Sequence, residues 1–370
     1  MKHNAGDLSC GVKYNSDAVQ AELDRLSVHG GRVQLHGGEY AVTKPLVLDA
    51  SSLCLSGNVW SCNTDPNGVF ETDCGTKLRM RGKDFPALRI GKNCDPISGA
   101  VVRDLGVQGD IVGMDTRQLM DFANPAAAAG LCLDSVRTDQ CEFSKLSFCG
   151  LSSAVCAVQN AEIDACVFEK LNTDGCGNGF YFAPRASYYT RVKSCIIADN
   201  PYYGFYVDGE GRNIHNLEIS DCCFVRNGGA FREDDGRIAA ALLFKKVSRC
   251  AVTHCLFDAP GTFWYYDDNA TKNEQRQPSY RKTVAMHVIG DENRLRDNTF
   301  LNSSDDSIRI EGNGNVLLSN IVDGNVRIRG EGNVVANLIL TKPESRLILE
   351  GEAKYTTRII GVEQEYILRV

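Results

Sequence analysis

A short motif of alternating apolar residues recurs along this chain and limits the folds open to it. Gly130-Leu-Cys-Leu, Ala154-Val-Cys-Ala, Gly179-Phe-Tyr-Phe, Gly204-Phe-Tyr-Val, Ala241-Leu-Leu-Phe, Ala285-Met-His-Val and Ser307-Ile-Arg-Ile each place two apolar residues two positions apart, at steps of mostly 20 to 25 residues. That is the alternation of a β-strand with one buried face. A second short run follows, such as Asn216-Leu-Glu-Ile, and then a third, such as Cys222-Cys-Phe, Cys255-Leu-Phe or Asn298-Thr-Phe. Three short strands separated by turn residues cannot bury their apolar faces alone. Turns stacked upon one another can, with parallel strands about 4.8 Å apart. The pattern predicts an all-β fold, a right-handed single-stranded parallel β-helix. An α-helical solenoid would need apolar residues at helical spacing, and a leucine-rich repeat would need its own consensus; the chain has neither.

The position opening the third strand reads Cys166, Cys195, Cys222 and Cys255, then Asn298, Asn320 and Asn337. One corner column of small residues is what stacking predicts. Buried cysteine packs as a small hydrophobe, and stacked asparagines hydrogen-bond from coil to coil. Packing, rather than a redox or metal column, is the reading adopted. The chain has 16 cysteines, yet no Cys-x-x-Cys pair recurs with histidines at zinc spacing. Free thiols in a reducing compartment are therefore expected.

Residues 1–48 are expected to form a cap, with Ser16 as N-cap of a helix carrying Val19, Leu23 and Leu26 on one face. The stretch from 30 to 48 then reads as strands separated by glycine turns. A helix over the open end would cover unpaired strand edges. Residues 49–370 form the β-helix, with insertions at 109–129, 225–240 and 258–283.

The formal charge of −7, from 40 Lys plus Arg against 47 Asp plus Glu, argues against nucleic acid as a partner. No apolar run reaches the roughly 20 residues of a membrane span. The opening MKHNAGDLSC lacks the apolar core of a signal peptide. A cytoplasmic protein, or an already processed one, is expected. No cofactor is called for, and no cluster of carboxylates suggests a bound metal such as calcium.

Residues 16–42, SDAVQAELDRLSVHGGRVQLHGGEYAV, resemble the opening of pectate-lyase-superfamily β-helix proteins. Within that superfamily, MHVIGDENRLRDNTF (286–300), GAVVRDLGVQGD (99–110) and GEGNVVANLIL (330–340) resemble the inulin fructotransferase (inulin lyase) family. The resemblance implies the β-helix fold, a homotrimer, and cleavage of inulin by intramolecular attack within a fructosyl pair. It also implies an Asp at a coil corner and a Glu facing outward from the next first strand. Those positions fall at Ala165 (or Asp164) and at Tyr181 here. A tyrosine cannot stand in for a carboxylate, so either the site has moved or the activity differs. Separately, NTDG at 172–175 resembles the stretch that carries a catalytic aspartate in polygalacturonase-type pectin hydrolases. The following coil offers only Asp199 as a second acid, so Asp174 is read as part of a turn.

Residues facing outward from successive first strands should form a ladder: Cys132, Cys156, Tyr181, Tyr206, Leu243, His287, Arg309 and Arg327. A saccharide lying along it would meet every rung, and Tyr181 and Tyr206 suit stacking on sugar rings. The long gaps flank this ladder, and loops on a rigid scaffold are where binding sites tend to occur. Candidate acids and bases are Asp208, Glu210, Asp267, Asp268 and His287, with Asp234 and Asp235 nearby in sequence. Candidate substrate contacts are Tyr181, Tyr206, Lys245, Trp264, Arg281 and Arg309. The leading expectation is a carbohydrate-active enzyme, either a glycosidase or a fructotransferase-like lyase, with an oligo- or polysaccharide substrate. Two alternatives stay open. A basic groove around His287 and Arg309 would favour a uronate lyase or epimerase, and a flat ladder without a pocket would favour a glycan-binding β-helix.

Overall fold

The computed structural model describes residues 14–58, 75–91, 95–110, 125–229, 237–261, 283–303 and 306–370. These fall into two compact units, 14–186 and 187–370. Each unit is built of right-handed β-helix coils joined by parallel strand pairing. The expected insertions lie largely outside the described residues.

In the first unit the helix Ser16–Leu26 buries Ser16, Val19, Leu23 and Leu26. Ser16 is the first helical residue rather than the cap, and its hydroxyl turns to Thr43, accepting the Thr43 N–H at 3.3 Å. Gln20 shows what the helix does. Its side-chain amide accepts from Val47 N at 2.7 Å and donates to Val47 O at 3.1 Å. Val47 lies in Leu46–Leu48, the edge strand of the first-strand sheet, so the helix supplies partners that the edge lacks. The outward register then runs Val47, Arg89, Cys132, Cys156, Tyr181. Inside, Phe143 stacks on Phe168 with centroids 4.9 Å apart, and Phe180 and Phe182 pack edgewise or tilted against the latter.

NTDG departs from expectation. Asn172–Asp174 is a short strand paired with Ser147 and Phe148, and the turn proper is Gly175, at φ 64°. The alternation is too short in sequence to distinguish a three-residue strand from a turn.

In the second unit the first strands are Tyr203–Asp208, Ala240–Lys245, Val284–Ile289, Asp306–Glu311, Asn325–Arg329, Leu347–Glu350 and Ile367–Arg369. Inward residues from neighbouring strands form continuous stacks. Phe224, Phe257 and Phe300 lie in register with centroid spacings of 4.6 and 4.8 Å and nearly parallel rings.

Left-handed residues recur at three corners of the coils, one of them holding Asp199, Arg226, Ala259 and Asn302 at φ 49–56°. The first corner holds Tyr189, Asn216, Arg249 and Glu292, at φ 51–57°, and then Gly314 and Gly332 at 64°. The second holds Ser194, Asp221, His254, Asp297, Ser319 and Asn337 at φ 52–55°. The residue after each of these two corners points inward. The expected column of cysteine and asparagine is accompanied by a second. One runs Cys195, Cys222, Cys255, Asn298, Asn320, and the other Cys250, Asn293, Asn315, Asn333. Cys166 follows the corner residue Ala165 in the first unit. Asn337 is itself a corner residue, and Leu338 takes the inward position. Spacing alone does not separate two corners that share one backbone conformation.

Cysteine and asparagine make equivalent bonds in these columns. Cys255 Sγ donates to Thr253 O at 3.3 Å and Ile219 O at 3.8 Å. Asn298 Nδ2 donates to Val252 O at 2.9 Å, and its Oδ1 accepts from Cys255 N at 3.0 Å. All twelve described cysteines are free thiols.

Candidate functional site

The first-strand sheet of the second unit presents two outward columns two residues apart. One reads Tyr206, Leu243, His287, Arg309, Arg327, Ile348, as the alternation predicts. The other reads Asp208, Lys245, Ile289, Glu311, Arg329, Glu350. Successive rungs are about 4.8 Å apart, so charge alternates along a line that a chain molecule can follow.

At its Tyr206 end, the Tyr206 ring stacks on Tyr203 with centroids 4.9 Å apart. Asp208 is held by Arg212 at 2.8 Å and Lys245 at 3.8 Å. Lys245 also bonds Glu210 at 2.5 Å, and this bond holds the exposed Glu210 carboxyl below its ordinary range. The expected residues Asp208, Glu210, Tyr206 and Lys245 thus share one neighbourhood, in which both acids are paired with cations.

The denser group lies further along. His287 is buried although it faces outward, and its Nε2 lies 2.9 Å from Glu311 Oε1. The His287 bond, opposed by partial burial and reinforced by the charges of His287, Arg309 and Arg329, holds the Glu311 carboxyl below the usual glutamate range. Asp306 has no exposed side-chain surface. A break in register between Asp306 and Ile308 sets it beside the outward arginines. Its Oδ2 accepts from Arg309 Nη2 at 2.6 Å, Arg309 Nε at 3.2 Å and Arg327 Nε at 3.0 Å. Burial raises the Asp306 pKa, but the bonds from Arg309 and Arg327 outweigh it and the carboxyl falls below its ordinary value. Arg327 reaches Glu350 with its other arm. Between these groups is a cleft of about 290 Å³ lined by Arg309, Ile310, Glu311, Arg327, Arg329 and Glu350.

Gly312 ends the Glu311 strand with φ 156°, and a Cβ there would lie 2.1 Å from Gly290 O. Gly330 approaches Gly312 O in the same way. The backbone passes close to the neighbouring coil at both strand ends, beside the cleft.

Chemically, Glu311 is kept ionised and can accept a proton. Glu350 is two rungs away in the same column, about 9.6 Å between Cα atoms at the standard strand spacing. Carboxyl separations of roughly 6.5–9.5 Å leave room for a water in inverting glycoside hydrolysis. Among the described residues no group of three or more His, Cys, Asp or Glu side chains is arranged to hold a metal. Asp306, Glu311, Arg329 and Glu350 did not emerge from the sequence. For Glu311 and Arg329 the signal was present, because the strand alternation continues two residues beyond Arg309 and Arg327.

In the first unit, half-buried Tyr181 packs against the buried pair Cys132 and Cys156. The neighbouring Cys132 thiol and burial push the Cys156 thiol well up. Ala165 is a left-handed corner at φ 50°, and Asp164 pairs with Arg137 at 2.7 Å. No carboxylate occupies position 181. Asp234, Asp235, Trp264, Asp267, Asp268 and Arg281 lie outside the described residues.

Residues 122–278 match the family model "Right handed beta helix region". No curated protein matches the chain. Among solved structures, the chain is similar to DFA-IIIase from Arthrobacter chlorophenolicus A6. Without its lid, that protein aligns at TM-score 0.68 and 15% identity, over 98% of this chain and 97% of its own. The complex with GF2 aligns at 0.68 and 14%, over 98% and 94% respectively. The complex with DFA-III aligns at 0.68 and 13%, over 95% and 91%. At these identities the likeness is one of fold: the chain is a right-handed parallel β-helix that shares the architecture of DFA-IIIase over nearly its whole length.

Proposed function

We propose that this chain is a carbohydrate-active enzyme that cleaves or rearranges a fructosyl oligosaccharide laid along the outward columns of the first-strand sheet. The observation that carries this reading is Glu311, held ionised by buried His287 at the wall of a cleft. The related fold of DFA-IIIase, with GF2 and DFA-III bound in its structures, supports the substrate class.

In this reading Glu311 draws a proton from the attacking hydroxyl, either of water or of a neighbouring sugar. Glu350, in its protonated form, gives its proton to the leaving oxygen, so that the departing sugar leaves as an alcohol. Arg329 is exposed and, among the described residues, carries no ion pair, so it can donate to sugar hydroxyls. Arg309 and Arg327 are both held by Asp306, and Arg327 also by Glu350. Among the described residues Arg329 is then the cleft arginine without an ion pair, and it stands between the two carboxylates Glu311 and Glu350 of its own column, an arrangement that disfavours binding a uronate and with it the lyase or epimerase reading.

The test is incubation of the full chain with GF2, inulin, DFA-III, pectin and alginate. Products are followed by mass spectrometry and by ultraviolet absorbance. Conversion of a fructosyl substrate by the wild type and not by Glu311→Gln is expected. Unsaturated products from pectin or alginate alone would replace the reading with uronate elimination, and no turnover would leave a binding protein.

A further inference from the structure

A second cleft lies on another part of the 187–370 unit, at the first left-handed corner rather than on the first-strand sheet. It encloses about 290 Å³ and is lined by Tyr189, Arg191, Asn216, Glu218 and Arg249, with Leu217 and Ala251. Tyr189, Asn216 and Arg249 are corner residues of three successive coils. The Tyr189 side chain is 63% exposed. The residue before it, Tyr188, adds a second aromatic surface. Its hydroxyl accepts from Asn213 Nδ2 at 2.5 Å, and its ring lies 6.4 Å from that of His215.

The polar groups are placed unusually. Arg191 and Glu218 are register partners on adjacent strands, both exposed, yet neither forms an ion pair among the described residues. One offers donors and the other acceptors, side by side. Ala251 follows Glu218 in the same row, and its short side chain leaves the floor open. Arg249 is fixed as a wall by its 2.8 Å bond to Glu292.

An exposed tyrosine face beside a donor–acceptor pair is the chemistry that grips a sugar ring, through its C–H face and its vicinal hydroxyls. The mixed sign of the pair selects against a polyanion, since Glu218 would repel it. We propose that this corner is a second carbohydrate-binding site, one that holds a neutral saccharide chain apart from the first-strand cleft.

The experiment is electrophoresis of the full chain through gels containing inulin, a soluble neutral β-glucan or polygalacturonate. Retardation by at least one neutral polymer is expected, weakened about tenfold in Tyr189→Ala, as loss of one aromatic platform implies. Tyr189→Phe keeps the ring and should retain binding. Alanine suits the corner, since Ala165 already adopts φ 50°, so Tyr189→Ala should fold. Glu311→Gln should be retarded like the wild type, and Tyr189→Ala should turn over short substrates like it, which separates this site from the cleft. Equal retardation of Tyr189→Ala and wild type would overturn the proposal. So would retardation by polygalacturonate alone, or none by any neutral polymer.

Discussion

His287 Nε2 lies 2.9 Å from Glu311 Oε1, on the next coil. The buried imidazole fixes one carboxylate oxygen and leaves the other facing the cleft. Glu311→Gln should lower kcat about 10²- to 10⁴-fold, the usual range for loss of a general base, with little change in KM. Because the His287 bond depresses the Glu311 pKa, the acid limb of the kcat profile should lie below the ordinary glutamate value. His287→Leu should move that limb to higher pH. A limb that stays in place in His287→Leu would remove Glu311 from the mechanism.

Asp306 makes a prediction about stability. Its folded-state pKa is depressed by Arg309 and Arg327, so its contribution is full above the unfolded value, about 4, and fades as pH falls through the lower folded value. Asp306→Asn should cost about 3 kcal/mol at neutral pH, since two arginines lose their shared partner. Denaturation midpoints measured from pH 7 down to pH 2.5 should fall less steeply in the variant than in the wild type.

Gly312 is tested by a single methyl group. A Cβ 2.1 Å from Gly290 O has no room, so Gly312→Ala should destabilise the chain by about 3 kcal/mol. Gly332→Ala meets nothing within 4 Å but keeps a left-handed φ of 64°, and about 1 kcal/mol is expected. Chemical denaturation of the two variants side by side checks the ranking.

The inner columns predict an ordering of substitutions. Asn298→Ala would leave Cys255 N and Val252 O without the partners they now have in Asn298, at a cost of about 2–3 kcal/mol. Asn298→Cys should cost less, because Cys255 already shows a thiol bonding the equivalent carbonyl. Equal losses in both variants would mean that the amide acts through its volume and not through its bonds.

How much was legible follows from which signals are periodic. The outward order from Tyr206 to Arg327 could be read because period-two alternation fixes which side chain leaves the sheet. The same rule extended by two residues leads from Tyr206 to Asp208, which was expected, and from Arg309 to Glu311, which was not. Asp306 was hidden for a different reason. By parity it should point inward with Ile308, and the register break reverses that. The second inner column, Cys250 to Asn333, was missed for a third reason. A left-handed residue followed by an inward one is the same local event at either corner, so no local signal distinguishes them.

The corners carry a consequence for how such a chain can diversify. Tyr189, Asn216, Arg249 and Glu292 differ in size, charge and polarity, yet hold φ within 51–57°. The coil asks of these sites a backbone shape and leaves the side chain open. A lineage could therefore rewrite this edge one coil at a time, exchanging a ring for an amide or a guanidinium, while the interior went on recording the same fold. The corner works as an interchangeable alphabet printed on an unchanging spine.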